Sequence, residues 1–290
     1  MNFPLADEAY MRHRQIQNLF VSDKATRLFE IVFYMTDLNV AKKFAESVLR
    51  EAREIILEHY SNDIDVDRKG DDSPVTIADR SAEKFIREQI GKNFPDHGII
   101  GEEFEDVNSD ARYKWVIDPI DGTKTYISQT PLFGSLLALL ENEKPILGAL
   151  YLPVQDEILI GDNESTWHNG KKIEMVQDAN LSEATVLTTD YRDFAMYKSR
   201  TGFDRLIENC RLTRTWGDCY GYYLLCINKA QVMIDPAMSV WDKMALIPII
   251  RGAGGRITDF YGQDPITGDS IVASVRGLHD LVIQTLNENC

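Results

Sequence analysis

A mixed α/β fold is what this sequence predicts, on three observations. Apolar residues recur at helical spacing through residues 40–59. Strand-like runs at residues 133–140, 146–151 and 157–160 are separated by short turns rich in Asn, Lys, Pro and Asp. After about residue 176, strand-like and helical patterns alternate.

The elements follow in order. Residues 1–36 read as helical pieces preceding the main body, either a docking or dimer-contact segment or an extension without a role. Between Val40 and His59, Ala41, Phe44, Val48, Ala52, Ile55 and Ile56 form one apolar stripe of an amphipathic helix. "IDVDRK" alternates like a strand. "DDSPVTIAD" turns into a second helix near Asp79–Lys92, with Phe85, Ile86 and Ile90 toward the core. "GIIGEE" is a short strand ending in Glu102, and "YKWVID" another ending in Asp118. The three runs from residue 133 to 160 suggest antiparallel hairpins. A seam near residues 165–185 divides an α+β half, 37–175, from an α/β half, 176–290. In that second half "ATVLTTD", "QVMID" and "GRITDF" read as strands. Asp204–Asn209, Asp218–Asn228, Trp241–Arg251 and Leu278–Leu286 read as helices, the third stopping at Gly254-Gly255.

Composition narrows the functions. Hydrophobic residues make up 44% of the 290 and the formal net charge is −15. The sequence pI is about 4.8. Phosphate backbones need a basic surface, so nucleic acid is disfavoured as a partner. A small phosphorylated molecule is not, because bound cations can supply local positive charge. No apolar run reaches the roughly 18 residues of a membrane span. The N-terminus has no secretory pattern, and Asp7, Glu8 and Asp23 are unlike a transit peptide, so a cytoplasmic location is expected. Cys210, Cys219, Cys226 and Cys290 form no CxxC pair and read as free thiols.

Acids at element ends carry the chemistry. "WVIDPIDGTKTY" places Asp118 and Asp121 three residues apart, straight off an apolar run. Alone they are turn formers. Glu102 ends the neighbouring strand and Asp242, in "SVWDKMAL", opens a helix. Four such carboxylates repel one another unless a cation neutralises them, and hard divalent ions take oxygen ligands. Gly122 and Thr123 start a helix whose free amides suit a phosphate, and Thr123 adds a hydroxyl that can orient water. Metal ligands beside an anion cradle are what phosphoryl transfer needs. Asp79 stands in the first turn of its helix. It is either a dipole or cap acid or the acceptor for the Thr123 hydroxyl. A phospho-aspartate mechanism fits less well, because that motif spaces its acids two apart near the N-terminus.

"GEE" at Gly101–Glu103, "SPVTIAD" at Ser73–Asp79, "WVIDPIDGT" at Trp115–Thr123 and "WDKMALIPIIRGAGG" at Trp241–Gly255 together resemble the inositol monophosphatase family. The resemblance covers roughly residues 40–290. It implies an αβαβα layered sandwich of the inositol monophosphatase/fructose bisphosphatase type, a homodimer, and a phosphomonoesterase using two or three Mg²⁺ ions. It also implies ligand sets: Glu102, Asp118 and the Ile120 carbonyl for one ion, and Asp118, Asp121 and Asp242 for a second. Thr123, oriented by Asp79, would act on the attacking water, with Glu102 in the same catalytic group. The Gly122 and Thr123 amides would hold phosphate. Arg251 departs from the family, which usually carries an acid there, and reads as a surface position.

The substrate turns on "TRTWGDCYGYYLL", Thr213–Leu225, where inositol phosphatases carry a Gly-Ser-Ala run. This variant resembles the histidinol-phosphatase branch. An acid in the alcohol pocket favours a cationic substrate, so Asp218 is the candidate amine contact; its alternative is a helix N-cap. Trp216 either lines the imidazole pocket or packs in the core. An inositol-phosphate or broad sugar-phosphate phosphatase is the runner-up. A silent metal-binding scaffold is the alternative of another class. His59, His97, His168 and His279 lie outside the motifs and read as surface or packing residues.

Overall fold

The computed structural model describes residues 23–60, 66–68, 74–198 and 200–288, so residues 1–22 of the expected extension and Cys290 lie outside the described residues. The first helix, α1 (Asp23–Tyr60), runs straight through the expected start at Val40. No Pro or Gly interrupts residues 23–40, so nothing in the backbone ends the helix there. Ala41, Ala45, Val48, Leu49, Ala52 and Ile56 form its buried stripe. A two-stranded ribbon, β1 (Val66–Arg68) with β2 (Pro74–Thr76), leads into α2 (Ile77–Asn93).

Seven strands form the first sheet in sequence order: β3 (Gly98–Gly101), β4 (Tyr113–Asp121), β5 (Gly134–Glu141), β6 (Lys144–Leu152), β7 (Glu157–Gly161), β8 (Thr166–His168) and β9 (Lys171–Ile173). Only β3 and β4 run parallel; the other neighbours pair antiparallel, joined by hairpins from β5 onward. Successive side chains of a strand point to opposite faces. Trp115, Ile117, Leu137, Leu139, Leu147 and Ala149 therefore pack under α1 and α2. Val116, Leu136, Ala138, Leu140 and Leu150 join the core on the other face. Both faces are covered, which is why β4 and β5 read as near-continuous apolar runs.

The second sheet has the order β11-β10-β12-β14-β13, made of β10 (Thr185–Leu187), β11 (Leu212–Arg214), β12 (Val232–Asp235), β13 (Arg256–Thr258) and β14 (Ile271–Ser274). Pairings with β10 are parallel and those with β14 antiparallel. Helices α6 (Asp218–Cys226) and α8 (Leu246–Gly252) touch both sheets and form the middle layer. The short α4 (Asp193–Tyr197) packs on α5 (Arg200–Glu208), and α5 packs with α9 (His279–Asn287), α9 lying against β14, as the outer layer. The order is helices, sheet, helices, sheet, helices: the layered sandwich.

Two expectations need correction. The helix expected over Trp241–Arg251 is two pieces, α7 (Val240–Lys243) and α8, because Pro248 has no N–H to give the Met244 carbonyl. Strands β8, β9, β11 and β14 escape the sequence pattern, since three or four residues carry too little period to show. Three histidines outside the motifs are packing and surface residues: His97 stacks between Phe94 and Tyr113, His168 faces Glu157, and His279 bonds Ser274 and Thr258. Cys219 and Cys226 are buried free thiols.

Candidate active site

Two carboxylates three apart on a regular strand point to opposite faces. Here the strand does not end at Asp118, as the sequence suggests, but continues through Asp121. Asp118 pairs with Leu136 and Asp121 with Gly134, and the register shifts between them. This bulge at Pro119-Ile120 re-aims the strand, so both acids face one cavity. One carboxylate oxygen each from Asp118, Asp121 and Asp242 lies within 4.8 Å of the others. Asp242 arrives from another layer, as the third residue of a capping box in which the Ser239 amide donates to its Oδ2 at 2.7 Å.

Glu102 follows β3 directly, and Gly101 pairs with Ile117, so Glu102 stands beside Asp118. It lies outside the tight trio, but its charge acts on Asp118. Burial first, then Glu102, Asp121, Asp242 and Asp79, hold the Asp118 carboxyl well above the ordinary range. Burial and the charges of Asp218 and Asp242 do the same to Asp121. Asp118 Oδ1 is buried with no hydrogen-bond partner. An orphaned oxygen among clustered carboxylates is what a hard divalent cation would satisfy, so the residues fit Mg²⁺.

Gly122 caps α3 (Thr123–Ile127) with φ +91, a left-handed conformation that excludes ordinary side chains. A Cβ there would also stand 2.8 Å from Asp218 Oδ2. The Thr123 hydroxyl has one proton to share between the Ile120 carbonyl at 3.1 Å and Asp79 Oδ1 at 3.4 Å. Both readings of Asp79 hold at once. Its Oδ2 accepts from the Thr76 amide at 2.8 Å in a capping box, while Oδ1 faces Thr123. Asp79 is fully buried, and desolvation pushes its pKa up to about 6.

The opposite wall carries Asp218. The residue capping α6 is Gly217, so Asp218 is not the N-cap. Asp218 adopts φ +50, and its carboxylate accepts from the Thr125 hydroxyl at 3.3 Å. Its amide donates to Thr189 Oγ1 at 2.8 Å, and the next amide, of Cys219, donates to Asp121. Trp216 is 40% exposed with Arg214 against its ring, so it is not core packing. Arg251 is exposed near Asp264, as expected of a surface position.

Sequence reasoning missed Asp235. It ends β12, and its carboxylate accepts from the Thr189 amide at 3.0 Å and the Tyr222 hydroxyl at 2.9 Å. Burial and Asp235 push Asp218 up to about 7. The signal was present: an acid closing an apolar strand, as with Glu102 and Asp118.

No helix among the described residues is long and apolar enough to cross a membrane. The chain is 37% identical over 241 residues to a histidinol-phosphatase of Chlorobaculum parvum, covering 82% of this chain and 92% of that protein. It is 32% identical over 224 residues to a fructose-1,6-bisphosphatase/inositol-1-monophosphatase of Aquifex aeolicus, covering 76% and 84%. Its fold matches the solved structure of a Thermotoga maritima IMPase with TM-score 0.77 and 28% identity, over 85% of this chain and 96% of that one. The pattern of the inositol monophosphatase family matches residues 37–290. With the layered fold and the acid cluster, these matches make the chain a member of the inositol monophosphatase family, a phosphoric monoester hydrolase.

Proposed function

We propose that the chain hydrolyses the phosphate monoester of a small amine-bearing alcohol, histidinol phosphate before any other. The observation that carries this reading is the Asp218 carboxylate packed against Gly122, at the mouth of the phosphate-facing loop. An acid there would pair with an ammonium, whereas inositol offers only hydroxyls. Asp235 adds a second acid behind it, and Trp216 supplies an exposed ring for the imidazole. The similarity to a histidinol-phosphatase supports the same substrate.

In this reading Glu102, Asp118 and the Ile120 carbonyl hold one Mg²⁺, and Asp118, Asp121 and Asp242 a second. When bound, the cations offset the carboxylate repulsion and polarise water and phosphate. Asp79 takes the Thr123 proton as a hydrogen bond, which leaves Thr123 Oγ1 free to accept from the attacking water and orient it. The Gly122 and Thr123 amides, at the start of α3, receive phosphate oxygens. Asp218 fixes the alcohol by its amine so that the phosphate meets these groups. A homodimer in the cytoplasm completes the proposal.

The test is kcat/KM on histidinol phosphate, inositol 1-phosphate, fructose 1,6-bisphosphate and adenosine 3′,5′-bisphosphate. Histidinol phosphate is expected to lead by about tenfold or more, the worth of one charged hydrogen bond. Equal rates on inositol 1-phosphate would overturn the amine-contact assignment and favour an inositol-phosphate or broad sugar-phosphate phosphatase; the Aquifex relative is named a fructose-1,6-bisphosphatase/inositol-1-monophosphatase.

A further inference from the structure

One stripe of α2 carries Asp79, Glu83 and Arg87 at successive four-residue intervals. Asp79 faces Thr123. Glu83 faces the run of residues around Glu102. Its carboxylate is fully buried. Oε2 accepts from the Glu103 amide at 2.8 Å, and Oε1 accepts from Arg87 Nε at 2.7 Å. The other arms of Arg87 donate to the Phe104 carbonyl at 2.8 Å and the Glu105 carbonyl at 3.0 Å.

The residue before Glu102 is held as closely. A Cβ on Gly101 would stand 2.0 Å from Glu83 Oε1 and 2.5 Å from Arg87 Nη2. The backbone on both sides of Glu102 is thus pressed onto one ion pair, its carboxylate fully buried and its guanidinium 13% exposed. Such a pair is a poor stabiliser, because desolvating two charges offsets their attraction and an apolar pair of similar volume would serve as well. What an apolar pair could not do is bind one amide and two carbonyls of a neighbouring loop.

The geometry points to Glu83 and Arg87 as positioning residues for Glu102: the pair holds residues 101–105 so that the Glu102 carboxylate is presented beside Asp118. This rests on the reading of Glu102 as a cation ligand. Groups that orient a ligand in this way are worth about 10- to 100-fold in metal affinity. Asp79 and the pair then make α2 a common brace for the Thr123 hydroxyl and the Glu102 carboxylate.

Calorimetric titration of the metal-free full chain with Mn²⁺ tests this, on the wild type, Arg87→Gln, Glu102→Gln and the double variant. Each single change is expected to weaken Mn²⁺ binding about tenfold or more. The double variant is expected to bind no more weakly than Glu102→Gln alone, because the pair acts through that side chain. Unchanged affinity in Arg87→Gln, or a loss that adds in full to that of Glu102→Gln, overturns the proposal. Unchanged affinity in Glu102→Gln overturns the ligand assignment and this proposal with it. If Arg87→Gln does not fold, Arg87→Lys carries the same cycle: it keeps a charge for Glu83 but cannot fork to both carbonyls.

Discussion

On the Asp118 side of Gly122, four acids of the site are held by regular structure: a bulged strand for Asp118 and Asp121, capping boxes for Asp79 and Asp242. On the Asp218 side, the acids depend on a left-handed residue and on hydrogen bonds from Thr125, Thr189 and Tyr222, which come from three separate segments. The first wall is a product of local geometry. The second exists only where segments distant in sequence meet. If the second wall is the alcohol pocket proposed above, the contrast teaches how one fold keeps its phosphate chemistry while that pocket changes: the second wall can be rewritten without touching the bulged strand or the capping boxes of the first.

The largest expected effect lies on the first wall. Asp118→Asn should lower turnover on every phosphate monoester by about a thousandfold or more, through loss of a ligand shared by both proposed ions. Its stability should move the other way. Asp118 is buried among four acids, so the metal-free variant should melt no lower than the wild type. Steady-state rates and a melting curve in a chelator check both. An Asn variant with ordinary turnover would remove the metal cage from this wall.

Gly122 belongs to both walls and should tie them together. In Gly122→Ala, the left-handed φ of +91 adds about 1–2 kcal/mol of strain. The new methyl also meets Asp218 Oδ2 at 2.8 Å, so it displaces the pocket acid or the phosphate loop. A misplacement of that order is worth about a hundredfold in rate. Rates on histidinol phosphate and inositol 1-phosphate should fall together. A loss confined to one substrate would show that the two walls are uncoupled.

The same contrast explains what the sequence could reveal. "WVIDPIDGT" declares its strand, its acids and its glycine within nine residues, and the capping boxes at Asp79 and Asp242 are local patterns. Even there the sequence hid one step, since a strand ending at Asp118 leaves unexplained how Asp121 turns to the same face; the bulge supplies it. Asp218 was legible as an acid but not as a residue at φ +50, a conformation fixed by its partners. Asp235 carried the same local signal, an acid closing an apolar strand, but what ties it to the site is Thr189, 46 residues away, and no spacing rule spans such a distance. The first helix was cut short at Val40 because amphipathic periodicity begins there, whereas backbone continuity does not require it.

A selective effect should appear on the second wall alone. Asp218→Asn is expected to reduce kcat/KM for histidinol phosphate by about 10- to 100-fold, the worth of a hydrogen bond to a charged group. Inositol 1-phosphate should change by less than about threefold, because its hydroxyls do not need the carboxylate charge. Equal losses on both substrates would make Asp218 part of the phosphate machinery and erase the distinction between the walls.

The smallest effect is a pH dependence that only one substrate should show. Burial and the neighbouring Asp235 push Asp218 up to about 7. The form that binds an ammonium is the carboxylate, and its population grows as pH rises through that value. An alkyl ammonium stays charged over the same span, and the phosphate titration is common to both substrates. The ratio of kcat/KM for histidinol phosphate to that for inositol 1-phosphate should therefore rise up to about tenfold between pH 6 and 8. The substrate's imidazole loses its own charge near pH 6.5, which acts in the opposite direction. A ratio that climbs thus assigns Asp218 to the amine, and one that falls assigns it to the ring. Asp218→Asn should flatten the climb, and a climb that persists in that variant would transfer the titration to Asp235, whose buried carboxyl sits at about 6.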